Sequence, residues 1–418
     1  MAATKELLRD IIVDNQRLIE IIELIERNVE FEEKGNYVFV GVRQAGKSYI
    51  LYQRMQQLIH DGHSVDEMLY VSFDDERLAG MKAEELDLLL QAHRSLYDCK
   101  PIIFLDEIQN IEGWQYFARR LANEKYQVYI TGSNAKMLSR EIATTLGGRY
   151  WVKDIYPYDF GEYLKAHNLP LPKHWDTGRT KHDVARLFND YFYYGGFPEL
   201  TDVVAKRAWL TNIYSKIFFS DIIVRNGVRN EDALRMTIRR LAESVMHPIA
   251  YNRISNLIKS TGTSTTPGAV MNYVRYLQDA CLVFSLENHA TKFVDKETVK
   301  KHYFVDNGLL NLFLVKPDTM LLENIVAVAL HKRYGDNLYY YNKNVEVDFY
   351  IPDEAFAVQV CHDLTEEQTL QREVNALLRL KKSIGLERML IITRDEERML
   401  EFSGEKIEAI PVWRWLLS

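Results

Sequence analysis

The stretch Gly41-Val42-Arg43-Gln44-Ala45-Gly46-Lys47-Ser48 decides the fold of the first part of the chain. It has the form Gly-x-x-x-x-Gly-Lys-Ser, in which a glycine-rich turn offers backbone N–H groups and a lysine charge to phosphate oxygens. The apolar run 37–40 precedes it and reads as a buried strand. Apolar residues at helical spacing follow between 49 and 60, so a helix N-terminus adds its positive dipole end. The sequence therefore predicts a strand–loop–helix unit that holds a polyphosphate.

The residues of this loop have separate predicted roles. Lys47 is predicted to reach the β- and γ-phosphates, and the Ser48 hydroxyl to ligate Mg²⁺. The predicted cofactors are thus ATP and Mg²⁺. The alternative is a glycine-rich turn that happens to hold a lysine, and the flanking strand and helix disfavour it. The residues predicted to bind nucleotide are Gly41, Val42, Arg43, Gln44, Ala45, Gly46, Lys47, Ser48 and Tyr49.

A second element adds two carboxylates to the predicted site. The run 101–105 is apolar and ends in Asp106 and Glu107. Charges at the C-terminal end of a buried strand lie at the ligand-binding edge of a parallel sheet. Asp106 is predicted to hold Mg²⁺ through its water shell, and Glu107 to polarise the water that attacks the γ-phosphate. Without the loop upstream, an ordinary strand ending in a solvated acidic pair would be the better interpretation.

A third buried strand, 127–131, ends in polar residues that include Ser133 and Asn134. Both are placed to hydrogen-bond the γ-phosphate or the attacking water, and both are also common helix N-caps. A further strand, 69–73, lies between the loop and the acidic strand. Strands that alternate with helical patterns predict a doubly wound parallel sheet.

The order of loop, intervening strand, acidic strand and polar-tipped strand resembles that of the AAA+ ATPases. In that resemblance Asn134 matches the sensor position. Arg149 lies where a member of the family could offer an arginine to a neighbouring nucleotide, and would stabilise charge on the γ-phosphoryl group. The alternative for Arg149 is a surface ion pair of little effect.

Composition limits the remaining possibilities. With 418 residues the chain predicts two or three domains, and its 47% hydrophobic content supports packed globular units. No apolar run is long enough to cross a bilayer and no signal-peptide pattern is present, so we expect no membrane partner. Three separated cysteines favour a reducing compartment, and the predicted location is cytoplasmic. A net charge of −7 confines any DNA contact to a local basic surface.

The residues after the predicted ATPase core contain a second recognisable pattern. Helical patterns between 161 and 249 are consistent with a helical lid. Residues 254–286 then read as helix, turn, helix and strand, the layout of a winged helix. Arg253, Lys259, Asn272 and Arg275 make DNA binding one possibility, and a protein-contact module is the other.

The C-terminal part predicts an α/β unit with an altered site. Glu323 on a helix, Asp348 on a strand, and the pair Gln359 and Cys361 on the next strand follow the order of the restriction-endonuclease-like nuclease core. In that core a helical Glu and a strand Asp ligate Mg²⁺, and a Glu-x-Lys supplies a third ligand and a charge. A neutral amide is a poor magnesium ligand and a thiol does not replace an ammonium. We expect the nuclease-like fold, with Glu323, Asp348 and Gln359 as its remnant, but not efficient cleavage.

The full succession resembles prokaryotic AAA-type ATPases of the AAA+ superfamily, which carry a C-terminal winged helix and a restriction-endonuclease-like domain of unknown function. The predicted fold class is α/β: a P-loop NTPase parallel-sheet core, a helical and winged-helix region, and a C-terminal α/β nuclease-like domain. The predicted segments are 1–30 (N-terminal helical), 31–160 (ATPase core), 161–249 (lid), 250–300 (winged helix) and 301–418 (nuclease-like).

The predicted activity is Mg²⁺-dependent ATP hydrolysis coupled to a conformational change of the C-terminal modules. Lys47, Glu107, Asn134 and Arg149 are its predicted catalytic residues, and Ser48 and Asp106 its metal ligands. One alternative is a nucleotide-regulated nuclease or DNA-processing enzyme, and another is a slow nucleotide-dependent switch that binds a protein. The candidate partners are ATP, DNA, a protein client and further copies of the chain.

Overall fold

The computed structural model describes residues 4–133, 144–291, 297–402 and 404–418. The chain divides into two compact units, Met1–Tyr156 and Pro157–Ser418. Within the described ranges, no helix has the length and apolar character needed to span a membrane.

The first unit is a five-stranded sheet flanked by helices, with the strand order β2-β3-β4-β1-β5. Each adjacent pair of strands is parallel. The described α-helices and strands are α1 (Lys5–Ile21), β1 (Tyr37–Val40), α2 (Lys47–His60), β2 (Met68–Ser72), α3 (Asp87–Leu96), β3 (Ile102–Asp106), α4 (Trp114–Asn123), β4 (Val128–Gly132) and β5 (Trp151–Asp154). The parallel α/β core predicted from the sequence is confirmed.

The central strands of this sheet are buried on both faces. All residues of β1, β3 and β4 are buried, because helices cover the sheet on both sides. This explains why their sequences are continuous apolar runs instead of alternating patterns. The core of the first unit lies between these strands and the apolar sides of α1, α2, α3 and α4.

The N-terminal segment is helical over only part of the predicted range 1–30. Thr4 caps α1 by accepting a hydrogen bond from the Leu7 N–H, and the helix ends at Ile21. Beyond it, the Gln53 side chain accepts from the Arg27 N–H and donates to the Arg27 carbonyl, both at 2.8 Å. Since side chains of α2 satisfy these backbone groups, residues 22–30 stay irregular although they are rich in apolar residues.

The second unit begins with helices. They are α5 (Phe160–Ala166), α6 (Gly178–Tyr194), α7 (Lys206–Lys216) and α8 (Glu231–Glu243), and a π-helical turn (Ile217–Val224) continues α7. A small three-stranded sheet of order β6-β8-β7 and two further helices follow. These elements are β6 (Ile249–Ala250), α9 (Tyr251–Ser260), α10 (Pro267–Asp279), β7 (Val283–Leu286) and β8 (Val299–Phe304). The predicted order of helix, turn, helix and strand is therefore present.

The C-terminal part of the second unit contains a six-stranded sheet of order β13-β14-β12-β11-β10-β9. Its elements are α11 (Asn307–Asn311), α12 (Asp318–Tyr334), β9 (Tyr339–Asn342), β10 (Glu346–Ile351), β11 (Phe356–Cys361), α13 (Glu367–Ile384), β12 (Arg388–Thr393), β13 (Arg398–Phe402), β14 (Glu405–Pro411) and α14 (Val412–Trp415). The predicted hairpin of β10 and β11 is confirmed by their antiparallel pairing. Parallel pairing of β11 with β12 and of β12 with β14 builds the centre of the sheet, and α13 packs its apolar side against it.

Two turns of the second unit are held together by a buried carboxylate. Asp306 accepts hydrogen bonds from the N–H groups of Gly196, Gly308 and Leu309. Gly195 has a φ of 78°, and a Cβ atom there would lie 2.0 Å from Asp306 Oδ1. The glycine pair after α6 therefore allows the backbone to approach this carboxylate closely.

Candidate nucleotide site at the edge of the parallel sheet

The predicted nucleotide-binding residues converge at one edge of the first unit's sheet. Strand β4 lies between β3 and β1, and all three run in the same direction. Their C-terminal ends carry the glycine-rich loop, the pair Asp106 and Glu107, and Ser133. The ends of parallel strands are the usual place for a ligand in an α/β sheet.

The loop owes its shape to two glycines. Gly46 is the N-cap of α2 and has a φ of 92°, a left-handed conformation that favours glycine. Gly41 is required for another reason: a Cβ atom there would lie 2.0 Å from the Ile155 carbonyl oxygen just after β5. Arg27 supports the loop from outside, because its guanidinium donates to the Ala45 carbonyl at 3.1 Å.

Lys47 lies at the first position of α2 with only 3% of its surface exposed. Its ammonium donates to the carbonyls of Gly41 at 3.2 Å and Val42 at 3.1 Å. It lies 3.5 Å from Glu107 Oε1. The lysine is thus turned back on its own loop, at the edge where the acidic strand ends.

Asp106 is the centre of a hydrogen-bond network. Its Oδ1 accepts from the Thr131 hydroxyl on β4, its Oδ2 accepts from the Tyr70 hydroxyl on β2 at 2.9 Å, and the Ser48 side chain is also a hydrogen-bond partner. The Tyr52 hydroxyl donates to Tyr70 at 3.1 Å. The two predicted metal ligands, Ser48 and Asp106, therefore lie in direct contact.

Glu107 is held by neighbouring donors. The Ser133 hydroxyl lies 2.8 Å and 3.0 Å from its two carboxylate oxygens, and the Gln109 amide donates to Oε2. Glu107 has a φ of 52°, uncommon for a residue with a side chain, and its N–H donates to Thr131 at 2.9 Å. A left-handed backbone at this position turns the side chain toward Lys47 and Ser133, and such conformations are enriched at functional sites.

The two neighbouring carboxyl groups have opposite pKa shifts. Burial, followed by the nearby charge of Glu107, raises the pKa of Asp106. Burial also acts on Glu107, but the charge of Lys47 and the donors Gln109 and Ser133 outweigh it and hold its pKa below the usual value. The charge of Lys47 thus favours the ionised form of Glu107, whereas burial disfavours the ionised form of Asp106.

One of the predicted catalytic residues, Arg149, does not join this cluster, and another, Asn134, lies outside the described residues. Arg149 is exposed and precedes β5, where its Nη1 donates to the carbonyls of Leu146 and Gly147 at 3.4 Å and 3.3 Å. Since β5 runs parallel to β1, Arg149 lies beside Asn36 at the opposite edge from the loop, a strand length of about 13 Å away. Tyr49 is half exposed on α2, and its ring packs against Tyr52.

Sequence reasoning missed four side chains that shape the site. Thr131 and Tyr70 hold Asp106, Gln109 holds Glu107, and Arg27 holds the loop. A polar residue near the end of an otherwise apolar strand was the available signal for Thr131, whereas Tyr70 lies in the middle of β2 and has no such signal. No local signal marks Arg27, because its partner Ala45 lies 18 positions away.

A second cluster of charged side chains lies in the other unit. The Lys301 ammonium on β8 donates to Glu323 Oε1 on α12 at 3.2 Å and to Asp348 Oδ1 on β10 at 3.0 Å. The Tyr303 hydroxyl donates to the same Glu323 oxygen at 2.7 Å. The three predicted remnant residues Glu323, Asp348 and Gln359 are thus close together, and a lysine that the prediction did not include lies between two of them.

Gln359 is part of this second cluster. Its amide oxygen accepts from the Asp348 N–H at 2.8 Å, and its amide nitrogen donates to Glu373 Oε2 at 2.7 Å. A cavity of ≈ 560 Å³ adjoins the cluster, lined among others by Glu323, Asp348 and Arg379.

Comparisons with known proteins show the family to which this chain belongs. The family model described as an AAA domain matches residues 33–164, and one described as a domain of unknown function (DUF8612) matches residues 185–319. An uncharacterized protein of Methanocaldococcus jannaschii is 33% identical and covers 100% of this chain and 97% of its own length. The chain belongs to the same family as the Methanocaldococcus jannaschii protein, and its residues 33–164 match the AAA domain.

Two further similarities complete the comparison. An uncharacterized protein of Haemophilus influenzae is 32% identical over 91% of this AAA-domain chain and 94% of its own length. Among solved structures, a Walker-type ATPase of Pyrococcus abyssi aligns with a TM-score of 0.43 and 12% identity over 71% of this chain and 100% of that one. The AAA assignment supports nucleotide binding by the first unit.

Proposed function

We propose that this AAA-domain protein hydrolyses ATP with Mg²⁺, using the strand-end edge of its five-stranded sheet. The observation that carries the proposal is the contact between four side chains from two separate motifs. Lys47 and Ser48 of the glycine-rich loop lie against Glu107 and Asp106 of the acidic strand. Phosphoryl transfer needs this combination of a fixed cation, two oxygen ligands for a metal and an ionised base.

The residues present fit a magnesium–nucleotide complex. Ser48 and Asp106 offer oxygen atoms, which Mg²⁺ prefers. Bound there, Mg²⁺ would neutralise negative charge on the phosphates during transfer. Lys47 exchanges its two loop carbonyls for phosphate oxygens, and the loop amides and the N-terminus of α2 hold the remaining phosphate charge. Asn134 remains the proposed sensor of the γ-phosphate.

Glu107 acts as the base that orients and deprotonates water. Its lowered pKa keeps it ionised, and Ser133 and Gln109 fix the direction of its carboxylate. When Lys47 turns toward the phosphates, Glu107 loses one partner and becomes a stronger proton acceptor. Release of phosphate then restores the contact between Lys47 and Glu107.

The test compares Glu107→Gln with the matched exposed variant Glu112→Gln. We expect Glu107→Gln to bind ATP but to lose about 10²–10⁴-fold in the rate of phosphate release, and Glu112→Gln to keep the wild-type rate. Equal rates in both variants would contradict the assigned base. Wild-type turnover slower than nucleotide dissociation would favour the alternative of a nucleotide-dependent switch that binds a protein.

Arg149 fits a role between copies of the chain. It lies at the sheet edge opposite its own loop, so it does not reach the nucleotide of the same chain. An assembly in which this edge faces a neighbour's loop would place the guanidinium at the γ-phosphate. Mass measurement with and without a non-hydrolysable ATP analogue tests this: assembly that depends on the analogue supports it, and a monomer in both states contradicts it.

DNA binding by residues 231–304 is a second candidate function. The order α8, β6, α9, α10, β7, β8 with sheet order β6-β8-β7 resembles that of a winged helix, in which the last helix would enter the major groove. Asn272 and Arg275 are exposed on α10, and Arg253 and Lys259 on α9. Fluorescence anisotropy with duplex DNA should show binding weakened by Arg275→Ala. Equal binding in both proteins would favour a protein-contact module.

In this proposal, nucleotide turnover in the first unit is coupled to the conformation of the second unit. ATP binding and hydrolysis in the first unit change the conformation of the C-terminal modules, through which the protein acts on a client. Limited proteolysis of the second unit with and without the ATP analogue tests this. A cleavage pattern that the analogue leaves unchanged in the wild type would contradict coupling.

A further inference from the structure

The position of Lys301 bears on the nuclease alternative. In the nuclease-like arrangement, Glu323 and Asp348 would share a divalent cation. Here the ammonium of Lys301 lies between them, with 0% of its side chain exposed. Glu346 Oε1 is a third, more distant oxygen at 3.9 Å.

Donors also occupy other polar atoms around Asp348 and Gln359. Asp348 Oδ2 accepts from the Val360 N–H at 3.0 Å, and Gln359 uses both ends of its amide on Asp348 and Glu373. Glu373 in turn accepts from the Arg372 guanidinium at 2.6 Å. A divalent cation would therefore compete with several N–H donors for the same oxygens. Within the described residues, no group of three or more His, Cys, Asp and Glu side chains is arranged to hold a metal.

Lys301 is held in this position by two carboxylates. Burial opposes the charge, but Glu323 and Asp348 outweigh it and raise the pKa of Lys301 above its usual value. Removing the ammonium from the cluster would leave buried carboxylates without a counter-charge. A metal bound to Glu323 Oε1 and Asp348 Oδ1 would have to displace this lysine, because both would contact the same oxygens.

We propose that the Lys301 ammonium is a permanent substitute for a divalent cation, so that this nuclease-like cluster is a metal-independent structural centre. The cluster also joins two sheets of the second unit. Lys301 and Tyr303 belong to the three-stranded sheet, and Asp348 belongs to the six-stranded sheet. Parting the two sheets would separate the buried charges, so the cluster holds them together.

The test measures binding of Mn²⁺ alone by electron paramagnetic resonance, with no nucleotide present. The variants are Lys301→Ala, the double variant Lys301→Ala/Asp348→Asn, and Lys300→Ala as a matched control. Lys300 is adjacent on β8 but pairs with Glu287 and Glu297 outside the cluster. We expect Lys301→Ala to gain one Mn²⁺ site that the double variant loses, and the wild type and Lys300→Ala to lack it.

The wild-type protein provides an independent arm. Mn²⁺-dependent cleavage of plasmid DNA, or wild-type Mn²⁺ binding that Asp348→Asn abolishes, would overturn the proposal. A folded Lys301→Ala protein that gains no Mn²⁺ site would also overturn it. If Lys301→Ala unfolds without metal, recovery of its melting temperature with Mn²⁺ supports the proposal, and no recovery counts against it.

Discussion

Two buried lysines in this protein lie against carboxylates, with opposite consequences. Lys47 has one carboxylate neighbour, Glu107 at 3.5 Å, and two carbonyls of its own loop as hydrogen-bond partners. Lys301 has two carboxylates at 3.0 Å and 3.2 Å. The first ammonium can exchange neutral acceptors for phosphate at little electrostatic cost. The second would have to abandon two charges.

The difference shows that a nearby acid does not by itself make a lysine functional. What matters is whether the partners of the lysine can be replaced by a ligand. Lys47 lies at the strand-end edge of a parallel sheet, where a ligand can arrive. Lys301 itself is buried between two sheets and a helix, so we infer that its contacts contribute to stability.

The largest expected effect is on stability at the enclosed lysine. Lys301→Met leaves Glu323 and Asp348 without their counter-charge, and we expect the free energy of unfolding to fall by about 3–5 kcal/mol. Lys300→Met, which loses only peripheral ion pairs, should cost about 1 kcal/mol or less. Urea unfolding of both variants measures the difference. If both variants lost a similar free energy of unfolding, the position of Lys301 between two buried carboxylates would add no stability beyond that of a peripheral ion pair.

The next effect is on activity at the other lysine. Lys47→Met removes the cation that would contact the phosphates, so we expect phosphate release to fall about 10²–10³-fold. Its melting temperature should fall less than that of Lys301→Met, because Lys47 gives up two neutral carbonyls and one carboxylate at 3.5 Å, whereas Lys301 gives up two carboxylates at 3.0 Å and 3.2 Å. Lys34→Met, at an exposed position before β1, should keep full activity. If Lys47→Met proved unfolded while Lys301→Met stayed active, the comparison would hold for Lys301 only. The loss of activity in Lys47→Met could then be due to unfolding and not to the missing cation.

A smaller effect is expected at Tyr70, which positions Asp106 without touching the nucleotide. Tyr70→Phe removes a hydrogen bond to a carboxylate, worth about 1.5–3 kcal/mol, so the Mg²⁺ concentration for half-maximal activity should rise about tenfold. Tyr52→Phe removes only the bond to Tyr70 and serves as its control. If both variants need the same Mg²⁺ concentration as the wild type, Tyr70 has no positioning role. Magnesium titrations of phosphate release give the answer.

The sequence predicted the parallel core and the meeting of its two motifs because both depend on local patterns. The glycine-rich loop and the apolar run before Asp106 each determine a strand end, and parallel strands bring such ends to one edge. The contacts of Arg27 and Tyr70 could not be predicted, since they depend on which strands are neighbours. The role of Lys301 was not predicted for the same reason. Lys301 on β8 belongs to another sheet than Asp348, and neither sequence spacing nor periodicity relates the two residues. The altered third motif at Gln359 did indicate a changed site, but not the cation within it.

The smallest expected effect is on the pH dependence of stability, and it concerns His302, the residue after Lys301 on β8. His302 is fully buried like Lys301, but no ion pair with a carboxylate is found for it within the described residues: its Nδ1 lies 2.8 Å from the Ser285 hydroxyl, and the nearby charge is that of Lys300. Burial, followed by the Lys300 charge, lowers the pKa of His302 to about 3. The unfolded chain, with an ordinary histidine pKa of about 6.5, therefore binds more protons below that pH. Stability should be lost as the pH falls from about 6.5 toward 3.

The corresponding variant is His302→Leu, in which Ser285 keeps its bond from Gln278. Relative to this variant, the wild type should lose about 1.4 kcal/mol between pH 7.5 and 5.5, because the unfolded histidine takes up a proton that the folded one refuses. His182→Leu, at an exposed position, should follow the wild type. Urea unfolding at the two pH values measures the change. If His302→Leu and the wild type lose stability in parallel, His302 carries its proton in the folded state. Carboxylate neighbours would then not account for a difference in charge between Lys301 and His302.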